Sequence, residues 1–448
     1  MSSIPLLPAS PPGRRMGHSW RLFSNSGALG TTPNTMNEIA PIPEHYLLVT
    51  NLPVWPGADG AHGVVPLWAK DLAEHLVYLP HFALAAPVAT GGSPGPIESL
   101  SGLPLRVIAL GPQRSLLRAV ATVPRTFWRL WKAIGAAEVV HCGIAGWPIP
   151  MGWLAAPIAR LRGKFLVIVV ESAPWRVAST RKEKIRAAVF ERMARWCVGM
   201  ADIAFFTQKE YRDSMLLRRY ERGHIIHASW IDAAKVLIQE QAHAAWREKP
   251  SNLRLLFAGR LTEPKGVSIL LRSMEELSQQ GTAITLDLLG EGPLLAECEK
   301  VANRMGGHVK IRLLGTLPYD QRFFEAMRSY HALIVPSLGD EQPRIVYDAY
   351  SQAVPVIASD TAGLRDCVED RVTGLLAARG DSTALAQAIS LAEKDREMLK
   401  TMGFSALQRA RDMTHATMHR RRAALLREAL DARQFKGRHS TCGKSVAE

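Results

Sequence analysis

Residues 253–277 read LRLLFAGRLTEPKGVSILLRSMEEL. The apolar run 253–258 predicts a buried β-strand, and residues 265–277 carry apolar side chains at helical spacing. Between them, Gly259 allows the backbone to turn at the tip of the strand. A strand, a glycine turn and a helix in this order are typical of a βαβ unit. We therefore expect a parallel sheet covered by helices, with Arg260 and Lys265 near its ligand-binding edge.

The same alternation of strand and helix extends through most of the chain. Further strands are predicted at 45–53, 105–110, 137–142, 164–171, 202–207, 284–290, 309–315, 332–337 and 354–359. A polar stretch, 238–252, interrupts the series. The pattern predicts an α/β protein with two Rossmann-like, doubly wound domains that face each other across a cleft and join near residue 245. We expect a disordered leader (1–40), a first domain (41–240), a second domain (250–415), a helix that packs back on the first domain (416–433) and a disordered tail (434–448).

Composition narrows the class of protein. The chain has 448 residues, of which 47% are hydrophobic and 21% charged, so it can bury large cores. Its five cysteines are scattered without CxxC spacing, which argues against a disulfide framework or structural zinc. The uncharged stretch 142–159 is broken by three prolines, which favours a buried loop and helix over a membrane span.

Positive charge is concentrated in one region. The formal net charge is +14, and residues 114–195 contain 15 Lys and Arg against four acids. The predicted helices 114–132 and 181–196 mix these cations with Trp, Phe and Leu, a composition that suits an anionic membrane surface. The alternative is an apolar stripe facing the core with a solvated basic face. The sequence contains no recognisable nucleic-acid-binding motif, so a nucleic-acid partner is not expected.

Two glycine-containing turns follow predicted strands. In FAGRLTEPKG (257–266), two cations near a helix N-terminus make a plausible diphosphate site, although an ordinary surface loop would contain the same residues. In LLGEGP (288–293), Gly290, Glu291 and Gly292 could allow close approach of a ring or ribose; a plain turn is the alternative.

Acidic residues distinguish the segment PSLGDEQPRIVYDA (336–349). Asp340 precedes a predicted helix and Asp348 lies one turn inside it. A carboxylate so placed can accept hydrogen bonds from ribose hydroxyls, whereas Asp340 or Glu341 could instead cap the helix. Farther on, in SDTAGLRDCV (359–368), Gly363 could offer backbone N–H groups to an oxyanion or simply form a turn.

The order and spacing of these four motifs resemble the nucleotide-sugar domain of family-4 glycosyltransferases, which have the GT-B fold and retain the anomeric configuration. The matching residues are Gly259-Arg260, Lys265-Gly266, Gly290-Glu291-Gly292-Pro293, Pro336-Ser337, Asp348-Ala349 and the PVIAS run 355–359. The resemblance covers about 253–378. In the first domain it is weaker and rests on element order, the loop at 55–63 and the segment 201–216.

The resemblance implies a role for each matching residue. Arg260 and Lys265 would neutralise the leaving diphosphate of the donor, Asp348 would hold the ribose, and Asp340 would lie near the transferred sugar. The Gly290–Pro293 turn and the loop with Thr316 and Leu317 would border the base. The first domain would bind the acceptor. Such chemistry requires no metal or other cofactor, and none is expected.

Three departures from the family pattern identify further candidates. Both family glutamates are aspartates here, so Glu341 is a rival to Asp340 for the sugar-facing role. The family's Gly-Phe-Gly is replaced by Glu341-Gln342-Pro343, followed by Arg344, which could serve as a third phosphate ligand or face solvent. Where the family often has a histidine, this chain has Glu171 after the strand 164–170, either near the reacting centre or as a local cap.

The sequence thus predicts a retaining, metal-independent glycosyltransferase that moves a sugar from a UDP- or GDP-sugar to a glycan or lipid-linked acceptor in cell-surface polysaccharide biosynthesis. We expect a cytoplasmic enzyme, peripheral on the inner membrane. The alternatives are a non-catalytic GT-B protein that binds sugar nucleotide and a nucleotide-sugar epimerase.

Overall fold

The computed structural model describes residues 39–57, 61–93, 95–112, 115–176, 180–216, 218, 220–339 and 341–442, with side chains as far as residue 435. The predicted leader lies outside the described residues except for its last two positions. Asp340 also lies outside them, so its predicted role near the sugar stays a prediction.

The first domain contains a seven-stranded sheet in the order β10-β9-β8-β7-β1-β4-β6, with every neighbouring pair parallel. A second, three-stranded antiparallel sheet forms from β2, β3 and β5. The strands are β1 (Tyr46–Val49), β2 (Trp55–Pro56), β3 (His62–Val64), β4 (Phe82–Pro87), β5 (Glu98–Ser99), β6 (Leu105–Leu110), β7 (Val139–Gly143), β8 (Phe165–Val170), β9 (Ile203–Phe206) and β10 (Gly223–Ile225).

Helices cover both faces of the large sheet. They are α1 (Pro66–Tyr78), α2 (Leu116–Ala136), α3 (Gly152–Leu161), α4 (Arg181–Met200) and α5 (Lys209–Met215). Strand β8, FLVIVV, is buried at every position, which explains why its sequence is apolar throughout instead of alternating. One core packs α2, α3 and α4 against one face of the sheet, and a second core packs α1 against the other.

The second domain contains a six-stranded parallel sheet in the order β13-β12-β11-β14-β15-β16. Its strands are β11 (Leu253–Ala258), β12 (Ile284–Leu289), β13 (Val309–Gly315), β14 (Ala332–Val335), β15 (Val356–Ser359) and β16 (Gly374–Ala377). The helices from the domain junction onward are α6 (Gln239–Arg247), α7 (Val267–Gln279), α8 (Leu295–Arg304), α9 (Gln321–Arg328), α10 (Ile345–Ser351), α11 (Ala362–Arg365), α12 (Ser382–Lys394), α13 (Arg396–Arg411) and α14 (His415–Cys442). The predicted pair of Rossmann-like domains is therefore confirmed.

The boundary between the domains lies earlier than residue 245. Helix α6 begins at Gln239, and its residues Ala242 and Trp246 pack in the core of the second domain. The Trp246 Nε1–H also donates to the Ala353 carbonyl, 2.9 Å away. The polar stretch 238–252 therefore belongs largely to the second domain, because its two buried positions are enough to anchor a helix whose other face is solvated.

Helix α14 returns to the first domain. Its residues Met418, Ala423, Leu426 and Leu430 join the core on the α1 side of the sheet. The helix continues to Cys442, so the expectation of a disordered tail from residue 434 is wrong for 434–442. Strands β4 and β16 were not predicted, because FALAAP and GLLA lack β-branched residues.

Candidate active site

The loops that leave β11, β12, β13 and β14 meet at one edge of the second sheet, here called the carboxyl edge (259–266, 290–294, 315–317, 336–339 and 341). Parallel strands bring their carboxyl ends to the same side, so motifs far apart in sequence become neighbours. Backbone hydrogen bonds connect the loops: Gly259 N–H donates to Leu289 O at 2.9 Å, and Leu261 N–H donates to Glu291 O at 2.8 Å. The structure therefore brings together the predicted residues on these loops.

Gly290 makes this close approach possible. Its φ is +153°, and a Cβ atom there would lie 1.9 Å from the carbonyl oxygen of Gly259. Gly290 N–H also donates to Gly315 O at 2.6 Å. Any side chain at this position would push the loops after β11 and β12 apart, so the glycine fixes the shape of the edge.

The two predicted phosphate ligands differ in their surroundings. Arg260 is exposed at the tip of β11. Lys265 is about three-quarters buried, and its Nζ atom forms an ion pair with Oε1 of Glu341. The predicted rival acid Glu341 thus contacts a predicted phosphate ligand, which places the two loops that carry them side by side.

Asp348, the predicted ribose ligand, is buried on α10 and 5% exposed. Its Oδ1 atom accepts a hydrogen bond from the Tyr319 hydroxyl at 2.6 Å. Burial raises the pKa of Asp348 to about 7, although the Tyr319 hydrogen bond and the charge of Arg344 oppose this rise. The side chain is therefore a carboxyl group that changes charge near neutral pH.

The segment Gln342-Pro343-Arg344 contacts the connection between the domains. Gln342 is buried; its Oε1 atom accepts from Ala228 N–H at 2.7 Å, and its Nε2–H donates to Ala228 O at 3.2 Å. The guanidinium of Arg344 stacks 4.7 Å from the ring centroid of Trp230. Arg344 is exposed and faces the space between the domains, so the residues that depart from the family pattern link the second sheet to the chain segment after β10.

The remaining predicted residues follow β13 and β15 of the same sheet. Thr316 and Leu317 are exposed after β13. Gly363 lies in α11, a four-residue helix, where Thr361 Oγ1 already accepts the Leu364 N–H at 3.4 Å. Gly363 itself is buried, and its predicted role at an oxyanion stays a prediction.

A cavity of about 650 Å³ lies in the first domain at the carboxyl ends of β1, β7 and β8. Its wall is rich in aromatic rings and contains Glu171, the predicted replacement for the family histidine. An adjoining cavity of about 290 Å³ extends toward Arg344 of the second domain. Residues that line both cavities include Trp68, Asp71, Glu171 and Arg422.

A buried group of histidines surrounds Asp71 behind this cavity. The Nε2 atoms of His415 and His419 lie 3.1 and 3.2 Å from Asp71 Oδ1, and His75 Nδ1 lies 3.4 Å from Oδ2. The candidate ligand atoms of Asp71, His75 and His419 lie within 4.8 Å of one another, a separation that a metal ion could bridge. The same atoms satisfy one another by hydrogen bonding, and Arg422 Nη1 lies 3.3 Å from His75 Nε2, where its charge would repel a cation.

Comparisons with known proteins agree with this geometry. The family model "Glycosyl transferases group 1" matches residues 252–395, which include every strand of the second sheet. The second domain is therefore similar to glycosyltransferase group 1 domains. This match covers about a third of the chain.

Relatives and solved structures extend the comparison. The chain is 25% identical to an alpha-D-kanosaminyltransferase of Streptomyces kanamyceticus over 62% of this chain and 73% of that protein. It is 35% identical to a phosphatidyl-myo-inositol mannosyltransferase of Mycobacterium leprae over 35% of this chain and 42% of that protein. Its fold is similar to Anabaena Alr3699/HepE, solved in complex with UDP and glucose, with a TM-score of 0.60, 16% identity and coverage of 85% and 98%. The fold is GT-B, and these likenesses support glycosyltransferase activity.

Sequence reasoning missed several residues of the site. Tyr319 and Trp230 contact Asp348 and Arg344 but belong to no motif. Arg422 lies in the basic run HRRR (419–422), which resembles an ordinary solvated helix face. One signal was present: α14 places buried residues at 415, 418, 419, 422, 423 and 426, a helical spacing that includes two histidines and an arginine.

Proposed function

We propose that this chain transfers a sugar from a UDP- or GDP-sugar to a glycan or lipid-linked acceptor, with retention of configuration and without a metal, in the synthesis of a cell-surface polysaccharide. The observation that carries the proposal is the pair of cations, Arg260 and Lys265, at the carboxyl edge of a domain similar to glycosyltransferase group 1 domains. Asp348 lies in the same domain on α10, the helix that follows β14, in its first turn.

The proposed role of the two cations follows from the negative charge that develops on the leaving diphosphate. Breaking the bond between the sugar and the diphosphate leaves negative charge on the leaving group, and fixed cations lower the energy of that state. Arg260 can form two parallel hydrogen bonds to phosphate oxygens, and Lys265 contributes a point charge. Glu341 partners Lys265. An arriving diphosphate would replace Glu341 on the lysine, which would free that carboxylate beside the transferred sugar.

The two domains supply the two substrates. The GT-B neighbour in complex with UDP and glucose supports a nucleotide-sugar donor, which the cations of the carboxyl edge would bind. The first-domain cavity, whose wall contains Glu171, opens toward Arg344 of the second domain and suits the acceptor. Glu171 would then lie near the reacting centre, between acceptor and donor.

The test is a hydrolysis and transfer assay with a panel of UDP- and GDP-sugars, with the anomeric configuration of the released sugar read by NMR. We expect slow release of the sugar from one donor with its original configuration. An inverted product would contradict retention. Binding of a nucleotide-sugar without any turnover would favour a non-catalytic GT-B protein, and release of an epimer would favour the epimerase.

We also propose that the first domain docks on an anionic membrane surface. Helices α2, α3 and α4 cover the same face of the first sheet and leave apolar side chains in solvent among Arg and Lys residues. Leu117 is 85% exposed, Trp128 67% and Ile185 62%. Apolar side chains that insert between lipids and cations that attract their headgroups together favour such docking. Within the described residues, no helix has the length and apolar character needed to cross a bilayer.

Vesicle flotation tests the docking proposal. We expect salt-sensitive flotation with vesicles that contain phosphatidylglycerol, and loss of most of it in the double variant Leu117→Ser/Trp128→Ser. Val77→Ser is the matched control, because Val77 is 58% exposed on α1, which covers the opposite face of the sheet. Equal flotation with neutral phosphatidylcholine vesicles would contradict the role of the basic face.

A further inference from the structure

Arg422 is a buried cation in the wall of the first-domain cavity. It lies on α14, is 7% exposed and borders both cavities. Burial opposes its charge, but the neighbouring Tyr78 and Asp71 keep the pKa of Arg422 above its ordinary value. A charged guanidinium held this far from solvent is costly unless several hydrogen-bond acceptors surround it.

The acceptors that the described residues provide for Arg422 are too few. Its Nη1 atom lies 3.3 Å from His75 Nε2, and its buried Nε atom has no hydrogen-bond partner. Trp68, which borders the same two cavities, also has a buried indole Nε1 without a partner. Two unpaired donors on residues of one cavity wall favour a ligand that offers acceptor oxygens.

The nearby carboxylates do not fill this role. Asp71 accepts hydrogen bonds from His415 and His419, and these bonds with the neighbouring His75 keep the pKa of its carboxyl low in spite of burial. Glu171 also lines the cavity but is exposed. Burial lowers the pKa of His75 to about 4, so this histidine is neutral at physiological pH and adds no negative charge to that of Asp71 near Arg422.

The rest of the cavity wall favours an amphiphilic ligand. Trp147, Trp175 and Phe190 contribute aromatic surface, and Arg186 adds a second cation. Its volume of about 650 Å³ is in the range of cavities that enclose small organic ligands. Such a cavity can hold an apolar or sugar body with a charged group at one end.

We propose that the first-domain cavity binds an acceptor that carries a phosphate group, which Arg422 and Trp68 hold by hydrogen bonds. The inference rests on the proposed function only in calling this ligand the acceptor. Guanidinium and phosphate are complementary in charge and geometry. A phosphate could bind Arg422 without a change in the hydrogen bonds of the histidines behind it. The phosphate could belong to a lipid phosphate or to a sugar phosphate, and the test separates these sources.

The experiment is isothermal titration of the full chain with octyl phosphate, octanol and glucose 1-phosphate. We expect wild-type protein to bind octyl phosphate about tenfold more tightly than octanol. One hydrogen bond to a charged group accounts for a gain in affinity of this size. Arg422→Met should lose that preference, and Trp68→Phe, which removes only the indole donor, should reduce it about threefold. Tight binding of octyl phosphate identifies a lipid phosphate, whereas preferential binding of glucose 1-phosphate identifies a sugar phosphate.

Matched variants make the outcome specific. Arg421→Met removes an exposed cation from the same helix, and Trp153→Phe removes a buried, unpaired indole N–H that does not line the cavity. Both should keep the wild-type preference. If Arg422→Met fails to fold, as judged by circular dichroism, Trp68→Phe decides the question. A wild-type protein that does not prefer phosphate to alcohol, or a Trp68→Phe variant with unchanged preference, would overturn the proposal.

The same titrations with UDP and GDP separate this inference from the proposed function. Failure of both nucleotides to bind would count against the nucleotide-sugar proposal and leave the phosphate preference of the cavity standing. Nucleotide binding without a phosphate preference would contradict the inference alone.

Discussion

The carboxyl edge of the second sheet and the cavity of the first domain are built in different ways. At the carboxyl edge, each candidate residue lies on a loop directly after a strand, and backbone hydrogen bonds connect those loops. In the cavity, Glu171 follows a strand, but Trp68 comes from α1 and Arg422 from α14, the last helix of the described residues. The first site is set by local sequence, and the second by the way distant elements pack.

This difference predicts that the two sites will tolerate substitutions differently. A parallel sheet fixes its own carboxyl edge, so a short motif is enough to place a side chain there. A cavity between a sheet, α1 and α14 depends on the whole core around it, including the buried contacts among Asp71, His75, His415 and His419. We therefore expect variants of the carboxyl edge to affect mainly the donor, and variants of the cavity to affect mainly the acceptor.

The largest expected effect on activity is that of Arg260→Ala. Removal of a fixed cation from the leaving diphosphate should lower kcat/KM for the nucleotide-sugar by about 100-fold, or about 2.7 kcal/mol of transition-state stabilisation. Steady-state kinetics with the preferred donor measure this change. The control is Arg272→Ala, which removes an exposed arginine from α7 of the same domain. A kcat/KM unchanged by Arg260→Ala would remove this residue from the site.

Gly290→Ala should break the carboxyl edge itself. The added Cβ would meet the Gly259 carbonyl oxygen at 1.9 Å, and the backbone at φ +153° is strained for an alanine. We expect a loss of about 1–3 kcal/mol of folding free energy together with weaker nucleotide binding. Gly306→Ala, with no atom within 4 Å of the new Cβ, is the matched control. Equal midpoints of urea unfolding for Gly290→Ala and Gly306→Ala would contradict the close contact between the loops after β11 and β12.

Of the two regions, only the carboxyl edge could be predicted from the sequence. The fold could be predicted as well, because both depend on local patterns. Arg260, Lys265, Glu341 and Asp348 all lie on the loops or the helix where the motifs placed them. The sequence could not show that Glu341 pairs with Lys265, because the contact joins residues 76 positions apart. It also could not identify Arg422, since a basic run on a helix has the same composition whether it is solvated or buried.

Asp348 should make donor binding depend on pH. Ribose hydroxyls donate to the ionised carboxylate, and the pKa of Asp348 is about 7, so donor affinity should fall about tenfold from pH 8 to pH 6. The variant Asp348→Asn should lose this dependence. Titration of UDP and GDP at several pH values measures it; a wild-type affinity that stays constant between pH 6 and 8 would remove Asp348 from the ribose site.

The same carboxyl group makes a separate contribution to stability. A carboxyl with a raised pKa binds its proton more tightly in the folded state, so it lowers stability as pH rises from the ordinary carboxyl range to about 7. Asp348→Asn should therefore stabilise the protein more at pH 8 than at pH 5. Urea unfolding of both proteins at the two pH values tests the sign, and the opposite order would contradict a raised pKa.

The smallest expected effect on the donor is that of Gln342→Met, at the connection between the two regions. The change removes two hydrogen bonds to Ala228 and leaves that backbone pair without its partners, at a cost of about 1–3 kcal/mol in folding free energy. The exposed Gln408→Met on α13 provides a control. If kcat/KM for transfer falls while the hydrolysis of donor alone does not, then Gln342 positions the two domains for transfer.

The most direct test of the central claim is equilibrium binding of UDP and GDP to the wild-type chain and to Arg260→Ala, measured by isothermal titration calorimetry without added metal. We predict that one of the two nucleotides binds wild-type protein with a stoichiometry of one and binds Arg260→Ala at least about tenfold more weakly, as expected for loss of a charge-assisted phosphate contact. If neither nucleotide binds, or if Arg260→Ala binds as tightly as wild type, the carboxyl edge is not the donor site.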